Sequence, residues 1–514
     1  MKNKYDVMLI LEGTYPFNGG GVSTWAHMLC NQVRNVNYTL YSINADFEQK
    51  SKYVLSENVK DVIQVPMWSP LEPQELLSYG SKKYYKAVNR KEQEDDQAIA
   101  DEFIPIFERL LAHIYNADAD IEEIDDTIFD MWQFFQNHDY KKTMRSQAVW
   151  NCFCKTVSEV IRKDNHYEAT LYDFTVGMRW IYRFMLPISI DVPKVDISHL
   201  TLSGFPVIPA LVLKYKYGTP IMATEHGVFI RERLIAINSS EYSFFLKNLL
   251  IRFSECITKL VYYKADIILS VNKFNMIWEK KYGAHPNKID VIYNGIDADL
   301  FVPSPKPVAL EGVPTVVAAA RIFELKDVIT MIKSCEVAKR SIPNVRYLVY
   351  GDNNAVPEYT KECRDLIKKL GLEDNFFLAG YHDKPHQLFC EGDISILTSI
   401  SEGFPYTVLE SMSCGIPVVA TDVGGVTEAL DESCGFICKP KDYESIGISV
   451  VTLLQDEALR KKMGAAARKK VLDNFTIDKF IKEYEVAYDF VMNKKAHEPI
   501  YLNTHLEQEA MEAS

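Results

Sequence analysis

Short apolar runs closed by glycine or a polar residue recur along the chain, and between them apolar positions return every three or four residues, so strands and helices alternate. Tyr5 to Leu11 reads as a strand and Gly13 to Gly21 as the loop after it, while Val22 to Val33 spaces Trp25, Met28 and Leu29 as a helix does. From about residue 70 to 165 the strand pattern lapses. Phe103, Ile106, Phe107, Leu110 and Leu111, then Ile128, Trp132 and Phe135, mark amphipathic stretches on either side of the acidic run ADADIEEIDD, and the spacing predicts a helical insertion. The acidic run lacks the spacing of a calcium loop and is read as a solvated face or loop.

Strand grammar resumes with VDISHLTL, PIMATEH, ADIILSVN and KIDVIYNG, each a short β-branched run with a polar residue or glycine just after it. A second series follows Pro303: PTVVAAAR, VRYLVYGD, FFLAGY, DISILTSI and IPVVATDVGG, interleaved with helical segments such as DVITMIKSCEVAKR and PHQLFC. The expected fold class is α/β, with two doubly wound, Rossmann-like lobes covering residues 1–300 and 301–475. The link falls in DADLFVPSPKPVALEG, where Pro303, Pro305 and Pro307 interrupt the pattern. Residues 476–495 read as an amphipathic helix crossing back to the first lobe, and 496–514 as a loose tail.

Composition narrows the class. With 47% hydrophobic and 25% charged residues the chain has the profile of a globular protein, which excludes disordered, collagen-like and coiled-coil readings. The net charge of −13 argues against general nucleic-acid binding, so an anionic ligand must meet a local cationic site. No run of 18 apolar residues and no secretory cleavage pattern is found, which points to a cytoplasmic protein. The ten cysteines are sparse and several lie in apolar patterns, as buried free thiols do.

In open α/β sheets ligands sit beyond the carboxyl ends of strands, and three loops there are unusual. The first, EGTYPFNGGGVSTW, puts Gly19, Gly20 and Gly21 before a helix, where backbone amides can approach a diphosphate; it is neither a P-loop nor G-x-G-x-x-G. The second, in AAARIFELKDVITMI, carries Arg321 and Lys326 between a strand end and a helix beginning near Asp327, cations suited to a leaving diphosphate. The third is SISEGFPYTVLESMSCGIPVVATDVGG. Glu402 precedes a Gly403-Phe404-Pro405 turn and Glu410 sits one turn into the next helix. Amides of residues 405 to 407 form an anion cradle on this reading, leaving Glu402 for sugar hydroxyls and Glu410 for a ribose. The triplets Asp118 to Asp120 and Asp297 to Asp299 are read as structural, and no C-x-x-C or H-E-x-x-H spacing occurs, so no metal or other cofactor is expected.

The pair Glu402 and Glu410 with GFP between them, together with Arg321, Lys326, VIYNGID and the early GGGV, resembles retaining glycosyltransferase family 4, whose two-lobed GT-B fold has a donor cleft between the lobes. More narrowly, LEGTYPFNGGGVSTW, TEHGVFIRER and RIFELKDV are similar to the cytosolic glycosyltransferases of Pel exopolysaccharide assembly. The resemblance implies that the first lobe is acceptor-side. Gly20 and Gly21 would admit an acceptor or the donor phosphates, Arg321 and Lys326 would bind the donor diphosphate, Glu402 the donor sugar and Glu410 the nucleotide ribose. Phe404, Pro405, Tyr406 and Thr407 match the segment whose backbone meets sugar and phosphate, and His226 the histidine near the transferred sugar. Asp327 stands where many relatives have Gly.

The implied activity is a retaining, metal-independent hexosyltransferase with a UDP-sugar donor and a polysaccharide acceptor. The partner would be an inner-membrane synthesis and export complex, and no nucleic acid. Retention is open to front-face substitution or to double displacement with Glu402 as nucleophile. A nucleotide-sugar epimerase, a sugar phosphorylase or a non-catalytic UDP-sugar-binding subunit on the same fold are the competing readings.

Overall fold

The computed structural model describes residues 5–46, 49–73, 96–164 and 168–493. The expected tail at 496–514 and the stretch 74–95 of the expected insertion lie outside the described residues. The chain divides into two compact units. One holds the residues up to Ser270, Met276–Asp290 and the chain from Glu485 on; the other holds Val271–Asn275 and Val291–Tyr484.

The first unit is built on seven parallel-class strands: β1 (Tyr5–Glu12), β2 (Val36–Ile43), β3 (Val59–Val65), β4 (Ile197–Leu200), β5 (Ile221–Glu225), β6 (Ile267–Ser270) and β7 (Ile289–Val291), ordered β3-β2-β1-β4-β5-β6-β7. Val7 to Leu11 of β1 are wholly buried, because helices cover both faces of a parallel sheet. Strands β2 and β3 escaped the sequence reading. The edge strand β3 keeps several residues exposed or half-buried, which blurs its apolar pattern.

Helices α1 (Gly21–Gln32), α2 (Ile104–Tyr115), α3 (Ile121–Asn137), α4 (Gln147–Asp164) and α5 (Leu171–Met185) follow, the last four between β3 and β4. The helical region therefore runs past the expected limit near 165, through α5 and a short turn at Leu186–Ser189. Pro187, with no N–H to donate, accompanies the change from α-helix to that turn. The insertion shares one core with the sheet: Phe103, Phe135 and Tyr140 belong to the same apolar cluster as Met8 and Ile10. Phe184 of α5 stacks on Phe205 at 3.6 Å between ring centroids.

The second unit holds β8 (Thr315–Ala319), β9 (Arg346–Tyr350), β10 (Phe376–Gly380), β11 (Ile394–Leu397), β12 (Val418–Thr421) and β13 (Gly435–Cys438), ordered β10-β9-β8-β11-β12-β13. The division falls after Asp290 rather than at residue 300. Ile296 explains this: its N–H donates to Phe475 and its carbonyl accepts from Ile477, while Asn294 donates to the Phe404 carbonyl at 2.8 Å. Strand order reverses between β1 and β4 in one sheet and between β8 and β11 in the other, the points where open α/β sheets open a crevice for ligands. Among the described residues no helix is long and apolar enough to cross a membrane.

Asp173 ties the insertion together. Thr170 and Asp173 form a capping box at the start of α5, and Ser243 donates to the same carboxylate at 2.6 Å. Burial alone would raise its pKa; the hydrogen bonds from Ser243 and Thr170 outweigh it and hold the carboxyl low. The depressed value means the stabilisation is complete above the ordinary Asp range and lost as pH falls through the folded value. Asp173→Ala should therefore lower stability by about 1–3 kcal/mol at pH 7, a gap that narrows as urea titrations are taken toward pH 3.

Candidate functional site

At the β8/β11 reversal three strand-end loops are laced together. The Thr398 hydroxyl lies 3.0 Å from the carbonyls of Lys326 and Asp327, and the Ile400 N–H donates to Leu325 at 2.8 Å. Thr421, at the end of β12, donates to the Ser399 carbonyl at 2.7 Å. Gly424 comes so close to Glu402 that a Cβ there would stand 1.8 Å from the Glu402 carbonyl oxygen, and its φ of +55° also calls for glycine.

Asp327 occupies the left-handed region at φ 45°, which accounts for glycine serving at such a position, and its carboxylate repays the strain by accepting from Thr330 N–H and Oγ1 at the start of α6 (Val328–Ser341).

This lacing sets Lys326 Nζ 2.5 Å from Glu402 Oε1, and Ser399 Oγ donates to the same oxygen at 2.5 Å. Glu402, expected to serve sugar hydroxyls, is thus engaged by both Lys326 and Ser399. Arg321 is exposed, its guanidinium 5.0 Å from the Phe323 ring centroid, with no ion pair among the described residues.

Glu410 lies on α7 (Tyr406–Ser413), whose first turn has no side-chain cap. Pro405 has no N–H, so the anion cradle expected at 405 to 407 reduces to Tyr406 and Thr407, whose backbone N–H groups have no acceptor among the described residues. Burial pushes the Glu410 carboxyl up to about 7, and no hydrogen bond or ion pair joins it to Glu402 or to another described side chain. Phe404 turns its ring inward, 4.9 Å from Tyr293 and 5.3 Å from Phe475, and leaves only backbone to the loop.

Two supports were missed in the sequence. Asn294 pins the GFP turn through the Phe404 carbonyl. Glu428 accepts from the N–H groups of Lys273 and Phe274 and from Tyr293 Oη. The quoted VIYNGID was the available signal for Asn294.

The remaining expected residues belong to the first unit. Gly20, at φ 146°, precedes α1, and Gly21 is its first residue. Trp25 of α1 packs edge-on against His226, centroids 4.5 Å apart. Burial lowers the His226 pKa to about 3, so the ring is neutral near pH 7, and its Nε2 is buried with no partner among the described residues. Its neighbour Glu225 accepts from Ser203 and Phe229 N–H and from Tyr262 Oη, which fixes the loop after β5. Asp120 caps α3 and Asp297 accepts from the N–H groups of Asp299 and Leu300, both structural uses. All ten cysteines are free.

Comparison with known proteins gives the family. The family described as a domain of unknown function, DUF3492, matches residues 5–287, more than half of the chain. The chain belongs to the DUF3492 family. In this DUF3492 chain a second domain, glycosyl transferases group 1, matches residues 304–470 and so contains Arg321, Lys326, Glu402 and Glu410.

The DUF3492 chain is similar to N-acetyl-alpha-D-glucosaminyl L-malate synthase of Bacillus anthracis, 32% identical over 28% of this chain and 37% of that protein. It is also similar to the N-acetylgalactosamine-N,N'-diacetylbacillosaminyl-diphospho-undecaprenol 4-alpha-N-acetylgalactosaminyltransferase of Campylobacter jejuni, 25% identical over 58% of this chain and 88% of that one. The chain thus spans well under half of the Bacillus protein's length. Anabaena HepE in complex with UDP-glucose shares the two-domain GT-B fold, with a TM-score of 0.58 at 15% identity over 94% of this chain and 99% of that one.

The Glu410 shift gives a signed expectation. A folded pKa raised from 4.5 to about 7 makes the native state bind the proton more tightly, so stability is greatest below the unfolded value and falls as pH rises through that window. Glu410→Gln, which mimics the neutral acid, should melt close to the parent at pH 4.5 and above it at pH 8 by scanning fluorimetry.

Proposed function

We propose that the chain is a retaining hexosyltransferase that moves a sugar from a UDP-sugar to a growing exopolysaccharide of the Pel type, without a metal ion. The observation that carries this reading is Lys326 paired with Glu402 at the β8/β11 reversal, beside an exposed Arg321 and a helix start whose first N–H groups find no acceptor among the described residues. Cations and free amides at a strand-end crevice suit a diphosphate, and the charge that develops on it as it leaves is what they would stabilise.

On donor binding the diphosphate takes up the Lys326 ammonium and Glu402 turns to sugar hydroxyls. Arg321 neutralises the second phosphate, and Glu410 accepts from the ribose. Gly20, Gly21 and His226 keep the roles the resemblance implies, toward acceptor or phosphates and toward the transferred sugar. The bond from the anomeric carbon to the phosphate oxygen breaks as the acceptor oxygen bonds on the same face, and the departing oxygen takes the acceptor proton. The resemblance favours front-face substitution over double displacement, in which Glu402 would be the nucleophile.

Uridine is the base the resemblance implies, and HepE, which shares the fold, was solved with UDP-glucose. The Pel assignment is supported by LEGTYPFNGGGVSTW, TEHGVFIRER and RIFELKDV, which resemble PelF. On this reading the protein works in the cytoplasm, or at the inner face of the membrane through an exopolysaccharide synthesis and export complex.

With UDP-sugars offered in turn, Lys326→Ala should lower UDP release by roughly 10²–10³-fold while the fold persists by circular dichroism; parent-like turnover would overturn this site. UDP release should be the same with and without EDTA, and a requirement for added divalent cation would remove the metal-free mechanism. Isomerised UDP-sugar in place of free UDP, or dependence on phosphate, would turn the assignment to an epimerase or a phosphorylase.

A further inference from the structure

A cavity of about 410 Å³ opens in the first unit at the carboxyl end of β1, where that sheet's strand order reverses. Its volume falls in the range of small-molecule sites. One wall is aromatic. Trp180 and Phe184 of α5 stack at 5.4 Å and 19°, and Trp68, just after β3, stands 5.8 Å from one and 5.3 Å from the other. Opposite chemistry comes from Glu12, the last residue of β1, whose Oε1 is 3.6 Å from an Arg233 guanidinium nitrogen. Tyr242, 38% exposed, lines the cavity where it meets solvent.

Two polar atoms of this lining, Glu12 Oε2, an acceptor, and Trp180 Nε1, a donor, are buried with no hydrogen-bond partner of their own among the described residues, although Trp68 also hydrogen-bonds the Glu12 carboxyl. Such groups are rare in native interiors and call for a ligand or water that satisfies both. A wholly apolar ligand leaves both unmet. An anion is opposed by the Glu12 carboxylate, and a cation must compete with Arg233 for it. A neutral polyhydroxyl ring answers all three conditions, since its C–H face lies on aromatic rings while each hydroxyl both donates and accepts.

We infer that this cavity binds a pyranose of the acceptor saccharide, with Trp180 under the ring, Trp68, tilted 59° to it, against the ring's edge, and Glu12 accepting from its hydroxyls. The word acceptor rests on the glycosyl-transfer reading above; the binding of a neutral saccharide does not. The helical insertion supplies Trp180 and Phe184, so it becomes the element that selects the saccharide.

The experiment is a titration of the full chain with maltotriose and with chitotriose, followed by tryptophan fluorescence and calorimetry, and in parallel with UDP. At least one trisaccharide should bind. Trp180→Ala and Glu12→Gln should each weaken it roughly tenfold, and Trp180→Phe, which keeps the packing, should recover part of the loss. UDP affinity in these variants should match the parent. Absence of binding by both trisaccharides, or unchanged affinity in both Trp180→Ala and Glu12→Gln, overturns the inference. Saccharide binding that persists while UDP fails to bind the parent chain would instead remove the proposed function and leave this site standing.

Discussion

One hydroxyl, that of Thr398, governs the geometry of the second unit's strand-end crevice. By reaching the carbonyls of Lys326 and Asp327 at 3.0 Å it ties the loop after β8 to the end of β11, and so decides where the Lys326 ammonium can go. A lysine carries four rotatable carbons and would otherwise sample solvent. Here its anchor is fixed from behind and its tip is caught by Glu402, which is itself held by Ser399 and by the close approach of Gly424. Each contact is modest. Together they place a cation and a carboxylate within a single hydrogen bond at the one position of the sheet where neighbouring connections diverge and leave room.

Desolvation then sets the charge state of the groups around such positions. Glu410 is driven toward neutrality by burial, His226 is kept uncharged by the same cause, and burial also raises Glu12 against the opposing pull of Arg233. Glu12 keeps Arg233 beside it, whereas Glu410 and the His226 Nε2 have no partner among the described residues, and burying such groups is costly. The three groups sit at strand ends or on the helix that follows one.

Much of the second unit was legible along the chain. Its strands are short unbroken apolar runs, and the loops that follow carry Arg321, Lys326, Glu402 and Glu410 at spacings that the strand-loop-helix grammar converts directly into place. Helix starts were legible for the same local reason, as with Asp327 before α6. Position 405 departs from this pattern, because proline has no N–H to offer at the start of α7.

Local pattern determined that strands β1, β4 to β7 and β8 to β12 exist, that a helical segment interrupts the first lobe, and that cations and acids stand at strand ends, because each follows from periodicity within about ten residues. Tertiary structure alone decided that Glu402 is taken by Lys326 and Ser399, that the division falls at Asp290 rather than 300, and that the insertion runs to Ser189 within the core of the sheet. It also decided that Glu12, Trp68 and Trp180 line one cavity. Those residues are separated by 56 and 112 positions, and no local period relates residues so far apart; only the packing of α5 against the ends of β1 and β3 brings them together.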